Sequence, residues 1–567
     1  MSQRARSESN INFTWGVKIP LWDGVHLNAT LYRPVQAEPT PAIFTLTPYI
    51  SDGYHPRAMY FSQHGYAFLL VDCRGRGNSQ GEFEPFVNEG RDAYGIVEWI
   101  AQQPWCDGQV TMWGGSYAGF NQWMALKEFP PHLKTIVPAA SAHAGVDFPF
   151  FKNIWFSYEM QWQTLTSGVT GNANLFQEEA FWIAKFRQHY LEHLPFRELD
   201  RIVGNTSTNF RVMLDHPIPD EYWLRMALSE EEYQRIDVPI LSITGAYDDD
   251  QPGAIAYYRL HMRFGSEEGK SKHYLIIGPW DHPGTRTPVQ EFGGLKFTEA
   301  SLLDMNKLHQ EWYDWTLKGA TKPDFLKDRV AYYLMGAEEW RYAPSLDAIS
   351  SVTRRFYLDS KNGLANDVFH SGGLEELPPQ DSLPDSFVYD PLDVRMVDLE
   401  REEIKNNLSD QRYDLNLDGA GLVYHSTPFE VDTDVAGNLK LVAWIEMDVP
   451  DTDFWVIVSE ILADGSRVRL AEDFMRARYR ESLTEEKLVT PGEINCYQFD
   501  GFSFFARRIA KGSRLRLVIR APNSIYYQKN YNSGGVVSDE TAQDARTAHV
   551  RLYHDEKYLS YLELPVI

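Results

Sequence analysis

Hydrophobic and polar positions fall into three successive patterns along this chain. Over roughly residues 10–145, short apolar runs alternate with stretches of helical periodicity. Ala42–Leu46, Ala67–Asp72, Val110–Trp113 and Thr135–Ala140 are apolar runs of strand length, which predicts buried strands. Between them, Glu89–Gln103 and Tyr117–Phe129 carry apolar residues at helical spacing. Such alternation predicts a parallel sheet covered by helices on both faces.

From about 146 to 236 the pattern turns helical and aromatic, with Trp155, Trp162, Phe181, Trp182, Tyr190 and Trp223. Strand-like runs return at Pro239–Thr244 and His273–Ile277, so the helical block reads as a cap inserted between strands of one sheet. A long helix is predicted over Glu299–Lys318, stopped by Gly319. Beyond about 350, period-2 runs such as Leu439–Glu446, Phe454–Leu462 and Arg514–Arg520 alternate with turns at Asp464-Gly465 and Lys511-Gly512. That pattern predicts an antiparallel sandwich of jelly-roll type. The expected domains are 1–145 plus 237–345 for the α/β unit, 146–236 for the cap and 346–567 for the jelly roll. At 567 residues, the chain is too long for a single core.

Charge narrows the classes of partner. Lys and Arg number 54 against 79 Asp and Glu, a net of −25, which argues against nucleic acid and anionic membranes. The three cysteines, Cys73, Cys106 and Cys496, are far apart, which argues against a disulfide framework or zinc cluster. No apolar run reaches the length of a membrane span. The polar segment Met1–Arg6 has no apolar stretch behind it, so no secretory signal is expected and a cytoplasmic location is.

Candidate chemistry begins at Val110-Thr111-Met112-Trp113-Gly114-Gly115-Ser116-Tyr117-Ala118-Gly119. A serine hydroxyl becomes a useful nucleophile when a strained strand-to-helix turn presents it to a base. The turn demands small neighbours because strand and helix approach closely, and Gly114, Ala118 and Gly119 meet that demand. Ser116 is the candidate nucleophile. The bland alternative is an ordinary glycine-rich loop.

Acyl transfer by serine also needs a base and a carboxylate to hold the imidazolium. In a doubly wound sheet both lie past the C-terminal ends of later strands, in the order Ser, Asp, His. The run ending Gly245-Ala246-Tyr247-Asp248 and the run ending Gly278-Pro279-Trp280-Asp281-His282 satisfy that order. His282 is the candidate general base, and Asp248 the candidate orienting acid. Asp249 and Asp281 are the alternatives to Asp248. The developing oxyanion needs donors, and the Tyr117 amide supplies one. A second should come from Thr47-Pro48-Tyr49, where Pro48 cannot donate and the Tyr49 phenol can. A tyrosine merely packed at a strand end is the competing reading.

Together these residues resemble the cocaine esterase (CocE/NonD) family of serine hydrolases, relatives of the α-amino acid ester hydrolases and the Xaa-Pro dipeptidyl peptidases of family S15. The resemblance covers nearly the whole chain. It includes Thr47-Pro48-Tyr49, the run Asp72-Cys73-Arg74-Gly75-Arg76-Gly77-Asn78-Ser79-Gln80-Gly81-Glu82-Phe83, and Trp105-Cys106-Asp107-Gly108. It continues through Asp215-His216-Pro217, Tyr247-Asp248, Gly278–His282, Met335-Gly336 with Glu339-Trp340, and Met475–Arg480. It implies an α/β-hydrolase domain with a helical cap and a C-terminal jelly roll. It also implies Ser116, Asp248 and His282 as the triad, with Tyr49 and the Tyr117 amide as the oxyanion hole. Arg74, Gly75 and Gly77 keep a structural reading, as a fixed loop beneath the site.

Departures bear on substrate. Cocaine esterase carries an aromatic residue two positions after the catalytic aspartate; here Asp250 stands there. The apolar segment of its jelly roll has no counterpart in the polar stretch Asp393–Gln411. The α-amino acid ester hydrolases instead place acids two and three positions on, for a substrate ammonium. Asp250 matches the first, while Gln251 replaces the second.

The expectation is therefore a serine hydrolase of carboxylic esters or activated amides, acting on a small molecule with no cofactor and no metal. Alternatives are an α-amino acid ester hydrolase, a β-lactam acylase or an Xaa-Pro dipeptidyl peptidase. Asp250, Trp155 and Trp162 are the candidate substrate-binding residues, and the resemblance implies a homodimer. A non-catalytic binding protein would have no reason to keep Ser116, Asp248, His282 and Tyr49 together. A metal hydrolase on Asp248-Asp249-Asp250 lacks accompanying histidine ligands.

Overall fold

The computed structural model describes residues 10–35, 38–361, 363–380, 382–400 and 407–567. The Met1–Arg6 segment and part of Asp393–Gln411 lie outside them. Ten strands form the first sheet: β1 Ile11–Pro20, β2 His26–Pro34, β3 Thr40–Thr47, β4 Ala67–Asp72, β5 Cys106–Gly115, β6 Leu133–Ala139, β7 Ile240–Tyr247, β8 His273–Asp281, β9 Val330–Leu334 and β10 Glu339–Ala343. Their order is β1-β2-β4-β3-β5-β6-β7-β8-β9-β10. From β4 to β9 every neighbouring pair is parallel, while both edges are antiparallel.

The strands of the parallel run are buried over most of their length because helices cover both faces. On one face, Ile43, Trp113, Val137 and Ile243 pack with Phe61 of α1 (His55–Gln63) and Trp312 of a late helix. On the other, Phe44, Met112 and Ile136 meet Ile96 of α2 (Glu89–Ala101) and Phe120 and Trp123 of α3 (Tyr117–Lys127). Helix α3 is buried from Tyr117 to Leu126, and Pro130-Pro131 follow closely behind its end.

Residues between β6 and β7 carry the helices α4 (Tyr158–Leu165) and α5 (Glu179–Leu191) with several shorter ones. Their apolar side chains, including Met160, Trp182, Phe210 and Trp223, merge with the core beside α2 and α3 rather than forming a separate one. The late helix, α6, spans Met305–Lys318 and not the predicted Glu299–Lys318. Asp304 accepts from the Lys307 amide and so starts the helix there, leaving Glu299–Ser301 as a separate short turn. Gly319 ends it in the left-handed conformation, with φ 70°.

A second sheet of 13 strands runs from Val352 to Val566 around its own core. Among the described residues its pairings are antiparallel except that of Gly372–Glu375 with Gly421–Ser426. The strand Asp453–Ile461, expected to alternate, is buried at every position. Phe454, Val456 and Val458 face the core, while Trp455 and Ile457 face Ile154 of the inserted region. Arg476 ties the two regions together. It bonds both oxygens of Asp453, at 2.8 and 2.9 Å, and the Asn153 carbonyl at 3.0 Å.

Candidate active site

Four candidate residues lie just beyond the C-terminal ends of neighbouring parallel strands, where such sheets gather their ligands. Tyr49 follows β3, Ser116 follows β5, Asp248 follows β7 and His282 follows β8. Ser116 sits at φ 61° and ψ −128°, a strained conformation at the head of α3. Gly114 is required because a Cβ there would lie 2.6 Å from Ala118 Cβ. Gly119 is required as well, since a Cβ would lie 2.8 Å from the Ala139 carbonyl. The Tyr117 N–H opens the helix, where intrahelical acceptors are missing.

His282 Nδ1 bonds Asp248 Oδ1 at 2.8 Å. The second Asp248 oxygen accepts from the Thr244 hydroxyl at 2.8 Å, and the first also accepts from the Asp250 amide at 3.1 Å. Of the alternatives, Asp249 is exposed and Asp281 accepts from the Gly284 amide. Ser116 Oγ bonds the Tyr49 hydroxyl at 3.3 Å, and Ser116 and His282 line one cavity without a direct hydrogen bond among the described residues. Contacts of this kind commonly tighten when substrate binds.

Electrostatics at His282 are set by two opposed effects. Burial disfavours its charged form, but the Asp250 and Asp248 carboxylates and the Asp248 hydrogen bond outweigh it, so its pKa is raised. Asp250 Oδ2 stands 3.7 Å from His282 Nδ1. Burial, together with the neighbouring Asp147 and Asp248, pushes the Asp250 carboxyl well above the ordinary range, against the pull of His282. Burial pushes the Tyr49 phenol up to about 12, so it stays a protonated donor.

The cavity measures about 480 Å³. Its floor holds Ser116, Asp248, Asp250 and His282; its roof brings Trp162, Trp182 and Phe186 from the inserted helices and Trp455, Arg469 and Glu472 from the C-terminal sheet. Trp162 lines this cavity. Trp155 does not: it is buried between Phe150 and Phe210, a core residue away from the cavity.

Three residues that carry the site were not singled out from the sequence. Asp147 lines the cavity, buried, with its carboxylate accepting from the His143 and Gly253 amides at 2.8 and 2.6 Å. Its only signal is an acid standing in the apolar run Val146–Phe151. Arg76, fully buried, donates to the Pro48 carbonyl at 2.8 Å and to the Ser167 and Gly168 carbonyls beyond α4, clamping the Tyr49 loop to the inserted helices. Glu89 accepts from the Tyr117 hydroxyl at 2.7 Å, which fixes that ring at the start of α3. The expected scaffold role of Arg74 takes the form of ion pairs to Asp23 and Asp92.

Residues 23–284 match the X-Pro dipeptidyl-peptidase family (S15), and residues 325–563 match the X-Pro dipeptidyl-peptidase C-terminal non-catalytic domain. Cocaine esterase of Rhodococcus sp. (strain MB1 Bresler) is 27% identical over 99% of both chains. Among solved structures, an aminopeptidase from a Thaumarchaeota archaeon superposes with a TM-score of 0.85 at 21% identity, over 99% of this chain and 97% of that one. An alpha-amino acid ester hydrolase gives 0.83 at 21%, over 99% and 98%. The fold is that of the α/β hydrolases followed by a domain of the X-Pro dipeptidyl-peptidase C-terminal type, in a serine hydrolase whose residues 23–284 resemble the S15 family.

Proposed function

We propose that the protein hydrolyses carboxylic esters through an acyl-enzyme on Ser116. His282 takes the Ser116 proton as Oγ attacks the substrate carbonyl. The carbonyl oxygen becomes an oxyanion that accepts hydrogen bonds from the Tyr49 phenol and the Tyr117 N–H. Collapse expels the alcohol, which leaves with the proton held by His282. Water then enters, gives its proton to His282 and attacks the acyl carbon, and Ser116 departs with that proton. Asp248 holds the imidazole in the required tautomer and stabilises its charged form. The observation that carries this reading is the pair of contacts at one cavity floor, 2.8 Å from His282 to Asp248 and 3.3 Å from Tyr49 to Ser116. The 27% identity to cocaine esterase supports an ester substrate.

The acyl group we propose carries an amine. Asp250 and Asp147 are buried carboxylates of the cavity, and neither is ion-paired to a lysine or arginine among the described residues. Burial holds both above the ordinary carboxylate range. A substrate ammonium supplies the missing cation and favours their charged form. Likeness to an alpha-amino acid ester hydrolase fold accords with that class. The domain boundaries we adopt are 1–145 with 237–345, 146–236 and 346–567, the last a jelly roll that closes the cavity without supplying reacting groups.

A fluorophosphonate probe followed by peptide mapping is expected to label Ser116, and Ser116→Ala is expected to abolish both labelling and turnover of α-amino acyl esters. Turnover retained by the alanine variant refutes the mechanism.

A further inference from the structure

Trp162 does more than line the cavity. Its indole N–H donates to the Tyr49 hydroxyl oxygen at 3.0 Å, and that same oxygen lies 3.3 Å from Ser116 Oγ. A phenol has one proton to give, whereas an indole N–H is a donor only. With Trp162 occupying an acceptor position on Oη, the phenol proton is directed to the remaining side, where Ser116 and the oxyanion lie. Accepting a hydrogen bond also polarises the phenol and strengthens the bond it donates.

The ring of Trp162 meets the other half of the oxyanion hole. It stacks on the Tyr117 ring, centroids 5.6 Å apart and planes at 28°, and on Phe86 at 6.0 Å and 19°. Phe148 closes its edge at 5.1 Å and 69°. Tyr117 is held in turn, its hydroxyl accepting from the Phe86 amide at 2.6 Å and donating to Glu89. One indole therefore touches both residues assigned to the oxyanion, bonding the first and packing on the second. Arg76 keeps the two partners in register by gripping the Pro48 carbonyl and the carbonyls that follow α4.

We infer that Trp162 is a positioning residue of the reaction: it fixes the direction in which Tyr49 donates, so that an inserted helix helps set the transition-state contacts of the sheet. This rests on the reading of Tyr49 as an oxyanion donor, and the test separates the two. Steady-state kinetics on a short acetyl ester would be measured for Tyr49→Phe, Trp162→Phe, Trp162→His and the double variant Tyr49→Phe/Trp162→Phe. Loss of the phenol is expected to cost about 10²–10³-fold in kcat. Trp162→Phe, which removes the donor and keeps an aromatic ring, is expected to cost about 10-fold in kcat with KM unchanged.

The decisive readout is the cycle. Once Tyr49 is phenylalanine, losing the Trp162 donor should change kcat no further, and Trp162→His, which restores an N–H, should recover most of the single-variant loss. If Tyr49→Phe leaves kcat at wild type, the oxyanion reading fails and this inference fails with it. If Tyr49→Phe is slow but the double variant shows the full product of both losses, the oxyanion reading stands and positioning by Trp162 is refuted. Should Trp162→Phe fold poorly, Trp162→His against Trp162→Met gives the same contrast with and without a donor.

Discussion

The floor and the roof of the cavity are built by different rules. On the floor, Tyr49, Ser116, Asp248 and His282 each lie within two residues of a strand end, so a parallel sheet brings them together whatever the rest of the chain does. The roof gathers Trp162, Trp182 and Phe186 from one region and Trp455, Arg469 and Glu472 from another, and only tertiary packing makes them neighbours. In the proposed reaction the floor supplies the chemistry and the roof selects what reaches it. The bond from Trp162 to Tyr49 is one point at which the two are joined.

This comparison breaks most visibly at Asp248. Asp248→Asn keeps the shape but holds His282 in the wrong tautomer, and is expected to lower kcat about 10⁴-fold on every ester alike. Kinetics on neutral and amino-bearing esters check it, and a loss confined to one class would move Asp248 from floor to roof. A smaller effect sharpens the same boundary. His282 is raised above its ordinary pKa by Asp250 and Asp248 against the effect of burial. The base must be neutral, so activity should rise with pH through a value above 6.5, the unperturbed pKa of histidine. Asp250→Asn removes one of those charges, and the acid limb should shift to lower pH by up to about one unit. A pH profile of kcat/KM on a neutral ester measures it. An unmoved limb would mean that Asp250 does not act on His282.

The same division governs what the sequence discloses. The strand-to-helix turn at Ser116 is legible because backbone sterics force particular residue types, as the close approach of Gly114 to Ala118 shows. Chain order and strand context place His282. They do not separate Asp248 from Asp249, since adjacent acids differ only in which way the turn after Tyr247 points; one is buried on His282 and the other exposed. Trp155 and Trp162 are alike in type and region. Yet Trp155 packs into a core and Trp162 meets Tyr49, a distinction made by the packing of distant segments. Asp147 needed the Gly253 amide, more than 100 residues away, to declare its position.

Helix boundaries follow the same logic. Thr298 and Asp304 are both residue types that cap helices, and only the observed bond from Lys307 to Asp304 selects the later start. Strand alternation failed for Asp453–Ile461 because its outward face is covered by the inserted region, so burial is two-sided.

The central claim, that an acidic corner beside the triad selects an amine on the acyl group, is tested most directly by a matched pair of substrates. These are an α-amino acyl ester and the same ester with a methyl group in place of the amine, turned over by wild type and by Asp250→Asn. The account predicts that wild type prefers the amino ester, and that the substitution raises its KM about 10-fold, the scale of one buried charge contact, while the methyl ester is barely affected. Equal losses on both esters, or no preference in the wild type, would contradict it.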